Sequence, residues 1–97
     1  MRKKSEALLG TAEIYRAVAE RKGFIKRDTR QALDAFAEVL TEALAEGRTV
    51  RYSGLGTFRP VTRKRRGKNA TYVTVRFRPA RRLLATLNKT EEADQDA

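Results

Sequence analysis

Residues 54–78 read GLGTFRPVTRKRRGKNATYVTVRFR. The two halves of this stretch fold onto each other about Gly67-Lys68, because Gly at the first central position suits a two-residue hairpin turn of type II′. With Arg66 facing Asn69, Phe58 faces Phe77, Pro60 faces Val75 and Thr62 faces Val73. These residues fall on one face of the ribbon. The opposite face receives Arg59, Val61, Arg63 and Arg65 from one strand and Tyr72, Thr74, Arg76 and Arg78 from the other. The period of two therefore separates an apolar face from a cationic one. The strands are expected from about Gly56 through Arg66 and from about Ala70 through Arg78. Pro60 has no N–H for a ladder and belongs at an edge or a bulge. Tyr72 is expected to pack across the ribbon against Arg63.

Upstream, Arg48 to Tyr52 is a further strand, rich in β-branched and aromatic residues, and Ser53-Gly54 is turn chemistry. Gly54 and Gly56 are read as suppliers of turn geometry. A long helix precedes this strand, from Lys26 to Glu46. Leu33, Phe36, Leu40, Ala43 and Leu44 recur in it at three- and four-residue steps, the mark of an amphipathic helix, and Gly47 terminates it. A shorter helix begins at Gly10 or Thr11 and ends at Gly23 in the left-handed conformation. Downstream, Pro79 opens a short helix from Ala80 to about Leu87, with Leu83, Leu84 and Leu87 inward and Arg81 and Arg82 outward. The class is α+β: two N-terminal helices, a three-stranded antiparallel sheet with a β-ribbon arm, and a short C-terminal helix. Residues 1–10 read as a flexible N-terminal extension, 11–88 as the domain, and 89–97 as an acidic disordered tail.

Charge is distributed unevenly along the 97 residues. The net charge is +10, and residues 1–46 are nearly balanced, with nine basic and eight acidic groups. Between Glu46 and Glu91 lie thirteen Lys or Arg and no carboxylate, and Glu91, Glu92, Asp94 and Asp96 follow. Like charges at that density repel, so the stretch implies a polyanionic partner.

Other classes are disfavoured. The chain has no His and no Cys, which removes the usual general base, the commonest metal ligand and any disulfide. Glu13, Glu20, Asp34, Glu38 and Glu42 are spaced along helices rich in Lys and Arg and read as solvated ion pairs. An enzyme is not expected, nor a cofactor, nor a small-molecule substrate. No apolar run approaches the length that crosses a bilayer, so the expected setting is cytoplasmic.

Several segments together carry a resemblance: Ala17-Val18-Ala19-Glu20, Gly23, Ala32 to Gly47 around Asp34-Ala35-Phe36 and Thr41-Glu42-Ala43-Leu44, Val50-Arg51, Gly54 to Phe58, and Phe77-Arg78-Pro79. In these the chain resembles the HU/IHF family of bacterial histone-like DNA-binding proteins over roughly residues 11–88. The resemblance implies an intertwined homodimer on the nucleoid, whose sheets form a saddle and whose β-ribbon arms embrace the minor groove of double-stranded DNA. Independently of the family, the long helix has more apolar surface than one short helix and three strands cover, which calls for a second copy. Family arms are about ten residues longer and carry an Asn-Pro step near the tip, whose proline wedges between base pairs. Here Asn69 matches the Asn, and Ala70 stands where the proline would be. A ribbon leaving the body near Thr62 reaches roughly 15–20 Å at about 3.3 Å per residue.

The expected function is architectural, largely sequence-nonspecific duplex binding, with DNA condensation and reduced bending. The alternatives are a site-specific accessory factor like IHF and an RNA- or ribosome-associated basic protein. Arg63, Lys64, Arg65, Arg66, Lys68 and Asn69 are the candidate DNA contacts along the arm. Arg59, Arg76, Arg78, Arg81 and Arg82 are the candidates on the saddle and its flank.

Overall fold

In the computed structural model, which describes residues 8–67 and 69–89, the elements run α1 (Thr11–Lys22), α2 (Lys26–Ala45), β1 (Val50–Tyr52), β2 (Gly56–Lys64), β3 (Thr71–Pro79) and α3 (Arg81–Leu87). Most of the N-terminal extension, Lys68, and the acidic stretch from residue 90 lie outside the described residues. The chain divides within α2 into two compact units, Met1–Val39 and Leu40–Ala97.

In the first unit, Gly10 is the N-cap of α1 and Gly23 closes it at φ 71°, donating its N–H to the Ala19 carbonyl. Phe24 N–H reaches the same carbonyl at 2.9 Å. A side chain at position 23 would pay for the left-handed backbone that Gly adopts freely. The start of α2 has no side-chain cap from Ile25. The Ile25 carbonyl instead accepts both the backbone N–H and the hydroxyl of Thr29, each at 3.0 Å. Thr29 and Ala19 are the buried residues of these helices, at 3% and 2% exposure.

The Tyr15 hydroxyl donates a hydrogen bond to Asp34 Oδ1, and Arg30 Nε lies 3.9 Å from Asp34 Oδ2, one helical turn away. The bond to the carboxylate raises the Tyr15 pKa above its ordinary value, with desolvation and the Asp34 charge adding to it. A phenol whose folded pKa is raised contributes stability that is fully present below its unfolded pKa of about 10, and that is lost as pH climbs through the folded value. Thermal melts of the native chain and of Tyr15→Phe are therefore expected to differ by a constant amount from neutrality to about pH 9, and to converge above about pH 10. A gap that persists into strong alkali would assign the Tyr15 contribution to ring packing instead.

In the second unit, α2 ends in a Schellman motif. Gly47 (φ 83°) donates to the Leu44 carbonyl and Arg48 to the Ala43 carbonyl, each at 3.0 Å, so the last carbonyls of the helix are satisfied. The sheet order is β1-β2-β3, antiparallel throughout. Tyr52 accepts the Leu55 N–H at 3.0 Å. With Gly54 at φ 85° and no positive φ at any non-Gly residue among those described, this is a type II turn that leads into β2.

The β2–β3 register is the expected one, with Phe58↔Phe77, Pro60↔Val75, Thr62↔Val73 and Arg63↔Tyr72. The loop length is not. Arg65 N–H donates to the Ala70 carbonyl at 2.9 Å, so residues 65 and 70 carry the last ladder bond and the reversal takes four residues, 66–69, rather than two. A two-residue and a four-residue loop about the same axis give the same partners, so the register survives the change. Gly67 has φ 72°.

Pro60 lies in the central strand with no bulge, but β1 pairs with β2 only at Gly56, Thr57 and Phe58. Ladder bonds to β3 fall on the odd-numbered residues of β2, so Pro60 points its nitrogen to the side where β1 has already ended. It costs the sheet no hydrogen bond. Pro79 closes β3, opposite Gly56, rather than opening the helix. Ala80 is the N-cap of α3, and its N–H reaches the Leu55 carbonyl at 3.0 Å. Leu84 and Leu87 are exposed, so they are not packed inward within the single chain. Phe58 and Phe77 meet tilted at 41°, with 4.9 Å between ring centroids, and Gly56 lies under Phe77. A Cβ at position 56 would stand 2.5 Å from the Arg78 carbonyl oxygen and 2.6 Å from Phe77 Cε1.

Candidate nucleic-acid interface

Three strands bring one row of side chains together: Arg51 beside Thr57 on β2, and Thr57 beside Arg78 on β3. Two residues along, Arg59 is opposite Arg76. Residues two apart share a face, so Arg51, Arg59, Arg76 and Arg78 all stand on one side of the sheet, where they line an open groove with Thr49 and Thr57. Ion pairs among the described residues lie elsewhere, at Arg27–Asp28, Arg30–Asp34 and Arg48–Glu46. The four groove guanidiniums thus have no carboxylate partner among those residues. They sit on strands rather than on a loop, so their backbones are held while their heads remain solvated.

The pleat sorts the sequence-expected residues. Arg59, Arg76 and Arg78 belong to this face, and Arg63 and Arg65 continue it toward the tip. Lys64 does not, for it pairs with Thr71 on the side of Phe58, Pro60 and Thr62. Arg66 and Asn69 are exposed in the loop, and Lys68 lies outside the described residues. Arg81 and Arg82 are carried by α3, where Arg82 lines a hollow with the turn at residues 52–55 instead of joining the sheet groove. Arg51 was not among the expected residues. Its signal was the alternation of Val50-Arg51-Tyr52, which becomes readable once a three-residue connection, 53–55, sets Arg51 against Thr57. Tyr72 faces Arg63 in register, but the cation over its ring is the diagonal neighbour Arg65, at 5.2 Å from the centroid, within cation–π range. Gly54 and Gly56 serve backbone geometry. Gly54 makes the turn, and Gly56 gives room to Phe77.

No group of three or more Asp or Glu that could hold a metal ion occurs among the described residues. No helix among them is long and apolar enough to cross a membrane.

Residues 9–88 match the family model described as bacterial DNA-binding protein. A DNA-binding protein HU of Caulobacter vibrioides is 46% identical over 52 residues, 54% of this chain and 56% of that protein. The match thus spans little more than half of that relative's length. Integration host factor subunit alpha of Stenotrophomonas maltophilia is 34% identical over 85 residues, covering 77% of this chain and 86% of the relative. Among solved structures, an Anabaena HU–DNA cocrystal structure superposes with TM-score 0.74 at 25% identity, over 81% of this chain and 97% of that one. HU from Thermotoga maritima gives 0.66 at 29% identity, over 81% and 98%.

Proposed function

The chain belongs to the family of bacterial DNA-binding proteins that holds HU and integration host factor, and from that membership we propose that it is an architectural protein of the nucleoid that binds duplex DNA with little sequence preference, as a homodimer. The observation that carries this reading is the sheet face bearing Arg51, Arg59, Arg76 and Arg78 with no carboxylate partner among the described residues. Guanidiniums on a rigid sheet neutralise phosphates and release counterions, whatever the base sequence. Single-stranded RNA readers need open aromatic faces for unpaired bases, whereas the Tyr72 ring lies under Arg65, which favours the duplex.

The homodimer is supported by what one chain leaves uncovered. No large side chain is fully buried among the described residues, and Val39, Val75, Phe77, Leu84 and Leu87 are all exposed. Covering them at about 1.5–3 kcal/mol per fully buried side chain contributes on the order of 5–10 kcal/mol, comparable with the whole stability of a small domain. The arm is short, and Ala70 is a poor wedge between base pairs, so the protein compacts DNA more than it kinks it.

Gel shifts on random-sequence duplexes, with sedimentation equilibrium of the free protein, test the reading. A particle of twice the chain mass that retards every duplex alike is expected, and ligase-driven circularisation of short duplexes is expected to stay near its protein-free rate. A monomer that ignores duplexes at low salt overturns the proposal, and efficient formation of small circles overturns the weak-bending part.

A further inference from the structure

We propose that the acidic segment Glu91–Ala97 of this same chain occupies the arginine face of the sheet when no nucleic acid is bound, so that the tail and DNA compete for one site. The inference rests on that face being the polyanion site. Three observations lead to it. The first is complementarity: four guanidiniums share the groove without a carboxylate partner among the described residues, and the next carboxylates after Glu46 are Glu91, Glu92, Asp94 and Asp96.

The second is spacing. The row holding Arg51 and Arg78 and the row holding Arg59 and Arg76 are two residues apart on β2, about 6.8 Å at strand rise. Glu92, Asp94 and Asp96 also recur every second residue. An extended tail therefore offers carboxylates on one side at about the same 6.8 Å repeat, and each carboxylate can accept a forked pair of guanidinium hydrogen bonds.

The third is reach. Thr86, in the last turn of α3, lines a hollow with Tyr52, Ser53 and Gly54. The same three residues border the hollow of Arg51 and Arg78. The helix end and the arginine pair thus both adjoin one short turn. From Asn88, where α3 is capped, an extended chain reaches about 10 Å at Glu91 and about 26 Å at Asp96. The first carboxylates can meet the Arg51–Arg78 row and the last can meet the Arg59–Arg76 row.

The functional consequence is a threshold. A duplex presents a long array of phosphates and displaces a four-carboxylate segment, whereas short or sparse polyanions do not. If the tail is docked in about nine molecules of ten, its removal raises duplex affinity about tenfold.

The chain has no cysteine, so Ala97→Cys takes a single nitroxide label on the full-length protein. At about 0.1 M salt the amides of Arg51, Thr57, Arg59, Arg76 and Arg78 are expected to broaden selectively, while those of Gly67 and Asn69 at the end of the arm keep more of their intensity. The broadening is expected to vanish at about 1 M salt, where the screening length falls to about 3 Å, and in the variant carrying Glu91→Gln, Glu92→Gln, Asp94→Asn and Asp96→Asn. It is also expected to vanish on addition of a duplex long enough to span the sheet face. Broadening that is absent, or spread evenly over the molecule, overturns the proposal, even if tail removal strengthens DNA binding through net charge alone. Selective broadening that a duplex fails to displace keeps the docking and overturns the reading of the face as a DNA site. Duplex binding without broadening does the reverse.

Discussion

Reversing Arg59 and Arg76 to glutamate is expected to lower duplex affinity at about 0.1 M salt by roughly 10³–10⁴-fold and to flatten the log–log salt dependence by about 3.6. The arithmetic is that of counterion release. Two phosphate contacts per chain become four per homodimer, and each contributes about 0.9 to the slope. The two residues face each other across β2 and β3 in the middle of the arginine face, so they are not peripheral cations acting only through long-range field. The loss is expected to be the same for every sequence, because phosphate contacts carry no base information. Lys64→Glu is the control. It makes one charge reversal where the pair makes two, on the same strand β2 but on the opposite side of the ribbon, and is expected to shift the slope by much less than half as much. Gel shifts at four or five salt concentrations measure both, with circular dichroism verifying the fold. Equal slopes for the two variants would remove the groove from the interface.

The second large effect concerns stability. Gly56→Ala places a methyl group against the Arg78 carbonyl and the Phe77 ring, at distances no real contact sustains, on a backbone at φ 154°. Overpacking costs about 1–3 kcal/mol and the unfavourable backbone about 1–3 kcal/mol more. That is a large share of the stability of a small domain, typically about 5–15 kcal/mol. Neither obstacle is the movable end of a side chain, since one is backbone and the other is a ring held against Phe58. The variant is expected to be largely unfolded at 37 °C. Gly54→Ala has nothing within 4 Å of its new Cβ and pays only for its left-handed backbone, about 1–2 kcal/mol. Urea titrations of the two variants rank them. If Gly56→Ala is as stable as Gly54→Ala, then Phe77 does not pack over Gly56.

The two variants also show how much the chain declares in advance. The β2–β3 register was legible because apolar and cationic residues alternate on both strands, and only one pairing puts Phe58 on Phe77 while keeping the arginines together. The loop was not, since register is blind to whether Arg66 and Asn69 close the ladder or belong to the turn. That distinction lives in a single backbone hydrogen bond, from Arg65 to Ala70. Reading Arg63 to Arg66 as one block of charge hid the pleat that sends Lys64 the other way. Arg51 was overlooked for a related reason. Its face depends on the number of residues in the turn after Tyr52, and Ser53-Gly54 marks that a turn exists without giving its length. Pro79 looked like a helix opener because its ring suits a first turn. It ends a strand equally well where its nitrogen has no ladder partner, and the position opposite Gly56 is such a place.

Pro60 has a consequence beyond local geometry. Among the described residues, no strand pairs with β2 from Arg59 to Lys64 on the side that β1 vacates. Open strand edges invite other copies to add on, the first step toward fibres. At this edge an incoming chain finds a missing donor at Pro60 and meets its own cations in Arg59, Arg63 and Lys64. An edge marked in this way is expected to keep copies of the chain from adding strand to strand even where they are crowded together.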